Sequence, residues 1–182
     1  MNSLLLSLTL LLNPVPYNEP GLLVDNSQRT EMNKQQFTKY VIEPVLRSMG
    51  MYSEEAVRLL LMIMAHESRK GYYIKQTVGP AVGVYQMEPA THADIVRFLK
   101  RKPDLYEAVN SWNCPNSFDE PESMMGNMYY ATAMARAFFL RFPEALPKGS
   151  DAELAAYAKK RWNTSAGKAT ADDYLRAYQE WK

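Results

Sequence analysis

The sequence predicts a mainly α-helical domain over residues 33–182, with a small β or irregular region near 78–87 and an extended arm over residues 1–32. Three observations carry this expectation. Apolar residues recur at i, i+3, i+4 and i+7 through most of the chain beyond Asn33. Most of these runs have their own start and stop residues. Glycine is scarce, 8 in 182 residues, and no long alternation of Val, Ile and Thr offers the strands of an all-β domain. About half of the chain (47%) is hydrophobic, enough for one sizeable core and too little, by domain-size statistics, to make two the expectation.

In the arm, residues 4–12 form an apolar run of nine, where a helix needs about 20 to cross a bilayer. No transmembrane segment is expected. A cleaved signal peptide, a retained docking arm and packing against the domain all stand as readings. Against the first, no Lys or Arg precedes the run, and Asn13-Pro14-Val15-Pro16 follows where small residues would mark a cleavage site. Pro14, Pro16, Pro20 and Gly21 make residues 13–29 a linker or extended arm. The arm is expected to pack outside the domain against a partner chain, because an exposed apolar run is otherwise an aggregation liability.

From Asn33 the helices follow in order. Phe37, Tyr40, Val41 and Val45 keep helical spacing, Pro44 is expected to kink that segment and Gly50 to end it. Ser53 caps a second helix, with Glu54 and Glu55 in its first turn where the macrodipole favours carboxylates. Its run from Leu59 to Ala65 is apolar nearly all round, so this is the central buried helix, closed by Gly71. Thr91 with Asp94 reads as a capping box for a helix through Ile95, Phe98 and Leu99 that stops before Pro103. Asp119 and Pro121 open a long helix through Met125, Met128, Tyr129, Ala135 and Phe139, which Pro143 ends. Ser150 with Glu153 and Thr170 with Asp173 read as capping boxes for the last two helices, the final one burying Tyr174, Ala177, Tyr178 and Trp181. Residues 78–87, interrupted by Gly and Pro, are the non-helical exception.

Composition excludes several functions. With 21 Lys+Arg against 20 Asp+Glu, no general field holds a polyanion, so nucleic-acid binding through phosphates is not expected. The single cysteine, Cys114, and two histidines, His66 and His92, assemble no Cys/His zinc spacing and no intrachain disulfide. Cys114 lacks a paired His and reads as packing, and neither histidine carries a distinct catalytic signal. Expected chemistry is free of metal and cofactor.

One carboxylate stands on an unusual face. Stepping about 100° per residue from Ser53 puts Val57, Leu60, Ile63, Met64 and Glu67 on one side of the helix, with Arg58 and Met62 opposite. Glu67 therefore points with the core residues, at a helix C-terminus. Desolvation and the negative end of the macrodipole both raise its pKa, which suits a general acid for glycosidic cleavage. Taken alone, the wheel leaves a second reading in which Glu67 turns to solvent and pairs with Arg69 or Lys70.

Past His66-Glu67-Ser68, the segment Gln76-Thr77-Val78-Gly79-Pro80-Ala81-Val82-Gly83-Val84-Tyr85-Gln86-Met87-Glu88-Pro89-Ala90-Thr91 resembles the active-site region of lytic transglycosylases related to goose-type lysozyme. In that family Glu-Ser ends a buried helix and is followed by Ser or Thr and then Gly-Ala-x-Gly-Leu-Met-Gln-x-x-Pro-x-Thr. Thr77, Gly83, Gln86, Pro89 and Thr91 match, while Pro80, Val84-Tyr85 and Glu88 depart from it. Trp162-Asn163-Thr164-Ser165-Ala166-Gly167 resembles the family's Tyr-Asn-x-Gly loop, and Asn127, Tyr129 and Tyr130 echo a further helix. The wording is most similar to phage virion members.

The resemblance implies a lysozyme-like fold over residues 33–182 and cleavage of the MurNAc–GlcNAc β-1,4 bond of peptidoglycan with one catalytic carboxyl, Glu67. It implies a 1,6-anhydro product and no cofactor. Thr77 and Gln86 would position the sugar, Asn163 would hold the groove floor, Gly83 would admit close approach, and Tyr85, Tyr129, Tyr130 and Trp162 would offer stacking walls. The partners implied are glycan strands and, through residues 1–32, other phage tail or virion proteins. The place implied is the virion, acting on the bacterial wall, with export to the periplasm as the alternative. Two rival functions stand beside this one: a virion docking protein with little activity, and a hydrolase whose second carboxylate is Glu88, Asp172 or Asp173.

Overall fold

The computed structural model describes residues 31–115, 117, 120–163 and 167–182. The expectations for residues 1–30, for Asp119 and for Thr164 to Ala166 lie outside these residues. What is described is mainly helical, and Glu31 and Met32, assigned from sequence to the arm, belong to the folded unit. The Met32 amide donates to the Lys70 carbonyl (3.0 Å), and Trp181 Nε1 donates to the Met32 carbonyl (2.8 Å).

Asn33 caps α1 (Lys34–Phe37) by accepting the Gln36 amide at 2.9 Å. The helix continues through a π turn (Thr38–Ile42) into α2 (Glu43–Ser48). Pro44 has no N–H for the Tyr40 carbonyl, and its ring crowds that oxygen. The chain widens by one residue in the turn ahead of it, with the Glu43 amide donating to the Thr38 carbonyl, where the sequence predicted a kink. Gly50 takes φ +66° past the end.

The central helix, α3 (Glu54–Glu67), starts where Ser53 accepts the Ala56 amide (3.1 Å). It is buried from Leu59 to Ala65 on every face, Met62 included, because neighbours surround it: α7 (Met128–Phe139), α8 (Asp151–Ala158) and α9 (Ala171–Gln179). Arg58, partly exposed, ties it to α8 through Asp151 at 2.6 Å. The capping boxes at Ser150 and Thr170 form as predicted, each with reciprocal side-chain and backbone bonds.

Two expectations are corrected between these helices. α4 (Pro89–Leu99) begins two residues before Thr91, because extended Glu88 followed by Pro89 at the first helical position makes a start without a capping box. The single helix expected from Pro121 is two, α6 (Ser123–Gly126) and α7, broken at Asn127. Asn127 leaves helical geometry (φ −117°, ψ 92°), accepts the Tyr130 amide (3.0 Å) and donates to the Trp112 carbonyl (2.7 Å). α5 (Pro103–Asn110), opened by Pro103, was not anticipated. After α8 a second π turn (Lys159–Asn163) leads toward α9. Residues 78–87 are irregular as expected, held by isolated antiparallel bridges of Val82 with Lys75 and Met87, with no strand among the described residues.

Candidate active site

Glu67 is the last residue of α3. Ser68 behind it is fully buried, donating to the Met64 carbonyl (3.0 Å) and accepting the Gly71 amide (2.9 Å), so the helix end is satisfied without Glu67. The carboxyl does not reach for Arg69 or Lys70. It receives a hydrogen bond from the hydroxyl of Tyr174, which α9 brings against the end of α3. Burial pushes the Glu67 pKa up, and the Tyr174 bond opposes that shift. Burial and the adjacent carboxylate together push the Tyr174 hydroxyl up, with the Asn163 amide working against them. Tyr174 thus stays a proton donor to Glu67 through the neutral range.

His66 packs its ring on that of Tyr174, with centroids 4.2 Å apart. Burial lowers its pKa below the ordinary value, and Asp173 pulls the other way. A neutral imidazole therefore backs the tyrosine.

Glu67 opens on a cavity of about 460 Å³, whose other lining residues include Gln76, Gln86, Glu88, Trp162 and Asn163. Gln86 has φ +49°, a left-handed conformation that costs a residue with a side chain. Its amide nitrogen donates to the Gly83 carbonyl (2.8 Å) and the Tyr73 carbonyl (3.4 Å), which fixes the side chain on the wall. Trp162 stands on Phe138, edge to face at 4.8 Å, and lies nearly parallel to Phe139 at 5.8 Å. Asn163 accepts from Lys159 Nζ (2.7 Å), which also donates to the Gly167 carbonyl (2.8 Å), so the lysine ties two residues of the lining together. The arrangement offers a desolvated acid, fixed amides and one aromatic wall, a set able to hold a neutral polyol and protonate an ether oxygen.

Of the residues singled out from sequence, Glu67, Gln86, Glu88, Thr91, Trp162 and Asn163 meet here. Others do not. Thr77 is exposed in the turn, and its neighbour Gln76 lines the cavity instead. Gly83 is buried with φ +75°, and the close approach it permits is to the Met124 carbonyl, 2.8 Å from where a Cβ would stand. Tyr85 is 1% exposed, its hydroxyl paired with Thr132 at 3.1 Å, so it presents no stacking face. Tyr129 is exposed away from the cavity, stacked on Trp112 at 5.1 Å, and Tyr130 is buried against His92 (2.7 Å). Asp172 and Asp173 lie outside the lining, with Asp173 in the α9 capping box. The sequence reading missed Gln76, Phe138 and above all Tyr174. The helical period put Tyr174 correctly on a buried face, but no local signal marks a partner 107 residues away.

Among the described residues no group of His, Cys, Asp and Glu gathers as a metal site, and no helix is long and apolar enough to cross a membrane. Compared with known proteins, the chain matches no family model, no curated protein and no solved structure.

Proposed function

We propose that this chain is a phage virion-associated peptidoglycan lytic transglycosylase with a lysozyme-like domain, in which Glu67 is the single acid and base. The observation that carries the reading is the carboxyl of Glu67 itself, desolvated at the end of α3, bonded by Tyr174 and open to the cavity. The resemblance of residues 76–91 to the lytic transglycosylase region supports the substrate class. Protonated Glu67 gives its proton to the oxygen between MurNAc and GlcNAc as the bond to the MurNAc anomeric carbon breaks, with the sugar's acetamido group assisting. The carboxylate so formed takes the proton of the muramic C6 hydroxyl as that oxygen bonds to the anomeric carbon. A 1,6-anhydro ring closes, no water is consumed, and Glu67 ends protonated as it began. Gln76, Gln86 and Asn163 orient the sugar, and Trp162 covers one face. No cofactor takes part. The biological role is local opening of the bacterial wall during infection, with the arm before Glu31 joining the enzyme to other tail or virion proteins.

A specific observation favours a second reading. Glu88 lines the same cavity and is exposed, so a lysozyme-type hydrolase would have a base for water. Solubilisation of purified cell wall by wild type, Glu67→Gln and Glu88→Gln separates the readings. The transglycosylase requires loss in Glu67→Gln alone. Equal loss in Glu88→Gln, with the fold intact, would transfer the assignment to the two-carboxylate hydrolase, and no solubilisation by wild type would leave a docking protein.

A further inference from the structure

We propose that a second cavity, beside the catalytic one, binds the acidic stem peptide of peptidoglycan through Arg69, Tyr72 and Tyr73. The inference rests on the reading of the substrate as peptidoglycan. Among the described residues the catalytic cavity is lined by two carboxyls, Glu67 and Glu88, and by no lysine or arginine. The glycan is neutral, but its stems carry free carboxylates, so a cation that holds them must stand outside that cavity.

Arg69 is the arginine nearest Glu67 in the chain. Arg69 (φ 50°), Lys70 (φ 58°) and Gly71 (φ 84°) are three consecutive left-handed residues, and they turn the chain sharply after α3. Beside this turn lies a cavity of about 330 Å³ bounded by Glu31, Arg69, Tyr72 and Tyr73. Lys70 Nζ holds the Glu31 carboxylate at 2.9 Å, so the acid in this cavity is already neutralised. Arg69 has no carboxylate partner among the described residues. Its guanidinium carbon stands over the Tyr73 ring, 5.9 Å from the centroid. Tyr72 and Tyr73 meet edge to face at 4.7 Å, with Tyr72 52% exposed. A guanidinium fork without a carboxylate, beside a tyrosine ring, suits a peptide carboxylate with apolar side chains beside it.

Tyr73, which bounds this cavity, is tied through its backbone to the catalytic one. The Tyr73 carbonyl accepts from Gln86, which lines the catalytic cavity, and the Tyr73 amide donates to the carbonyl of Ser68, the residue after Glu67. A muramic acid seated at Glu67 thus has this cavity as its neighbour when its lactyl arm leads the stem off the ring.

The test is direct binding, independent of turnover. The full chain is titrated with N-acetylmuramoyl-L-alanyl-γ-D-glutamyl-L-lysine amide, whose D-glutamyl α-carboxylate is either the free acid, as in the stem, or its methyl ester, and followed by amide chemical shifts. The free acid should bind with shifts at residues 69–73, and the ester roughly threefold to tenfold more weakly, the scale of one partly exposed charge-assisted bond. Arg69→Gln should abolish that difference, and Arg69→Lys should retain part of it. Equal binding of acid and ester by wild type, no binding at all, or an unchanged ratio in Arg69→Gln would overturn the proposal. Wall solubilisation by the same preparation decides the catalytic reading separately, since a chain that cleaves wall while ignoring the stem carboxylate loses this site and keeps its function.

Discussion

Glu67→Gln separates charge from shape. The amide is nearly isosteric and keeps an oxygen for the Tyr174 hydroxyl, so the fold should persist while wall solubilisation falls ~10²-fold or more, the usual scale for a positioned acid/base. The pH dependence of stability has a definite sign. Burial raises the folded pKa above the ordinary 4.5, so between the two values the folded state holds a proton that the unfolded state has released. Wild-type stability therefore declines relative to the glutamine variant as pH rises through that window. The two should melt alike below it, and the variant should melt higher above it; thermal melts at stepped pH check this. Wild-type activity needs the protonated acid and falls as pH rises through the raised pKa. Tyr174→Phe removes the bond that opposes the shift, so the descending limb of its pH–rate profile should move to higher pH. At this scale the helix face of Glu67 was legible because a wheel needs only spacing, whereas the partner its carboxyl takes, Tyr174, lies 107 residues away and was not. Tyr85 was misread because composition cannot tell an aromatic wall from a core tyrosine bonded to Thr132.

Among elements, the joints that caps and prolines define hold the site. Thr170→Ala should cost about 1 kcal/mol, seen as a lower denaturant midpoint, because it removes the acceptor for the Asp173 amide at the start of α9. The loss reaches the active site, since Tyr174 lies in the first turns of that helix and the end of α3 depends on it. The boxes at Ser150 and Thr170 and the cap at Ser53 could be read because a capping side chain bonds within three residues of itself. Asn127 was passed over for the opposite reason. Its break is fixed partly by the Trp112 carbonyl, 15 residues upstream, while the apolar period runs on through it. The π turn before Pro44 shows the same limit: the sequence marked the fault in the helix but not how the chain absorbs it.

Over the whole molecule, α3 is the axis, and both chain ends of the described domain close at its exit. Met32 bonds Lys70 just past α3, Trp181 bonds Met32, and Lys34 Nζ reaches the Trp181 carbonyl at 3.1 Å. A chain begun at Glu31 should therefore melt higher than one begun at Lys34, which lacks the Asn33 cap and both Met32 bonds; calorimetry of the two checks this. The sequence assigned Glu31 and Met32 to the arm, because an anchoring backbone bond leaves no mark in composition. The helical class and the buried central helix were legible from period and caps, whereas the neighbouring cavities arise from contacts between distant segments. The central claim, one carboxyl that breaks a glycosidic bond without water, is tested most directly by mass spectrometry of the muropeptides released from purified wall. The account predicts 1,6-anhydromuramic ends from wild type and none from Glu67→Gln. Reducing muramic ends from wild type, or anhydro ends persisting at wild-type yield in Glu67→Gln, would contradict it.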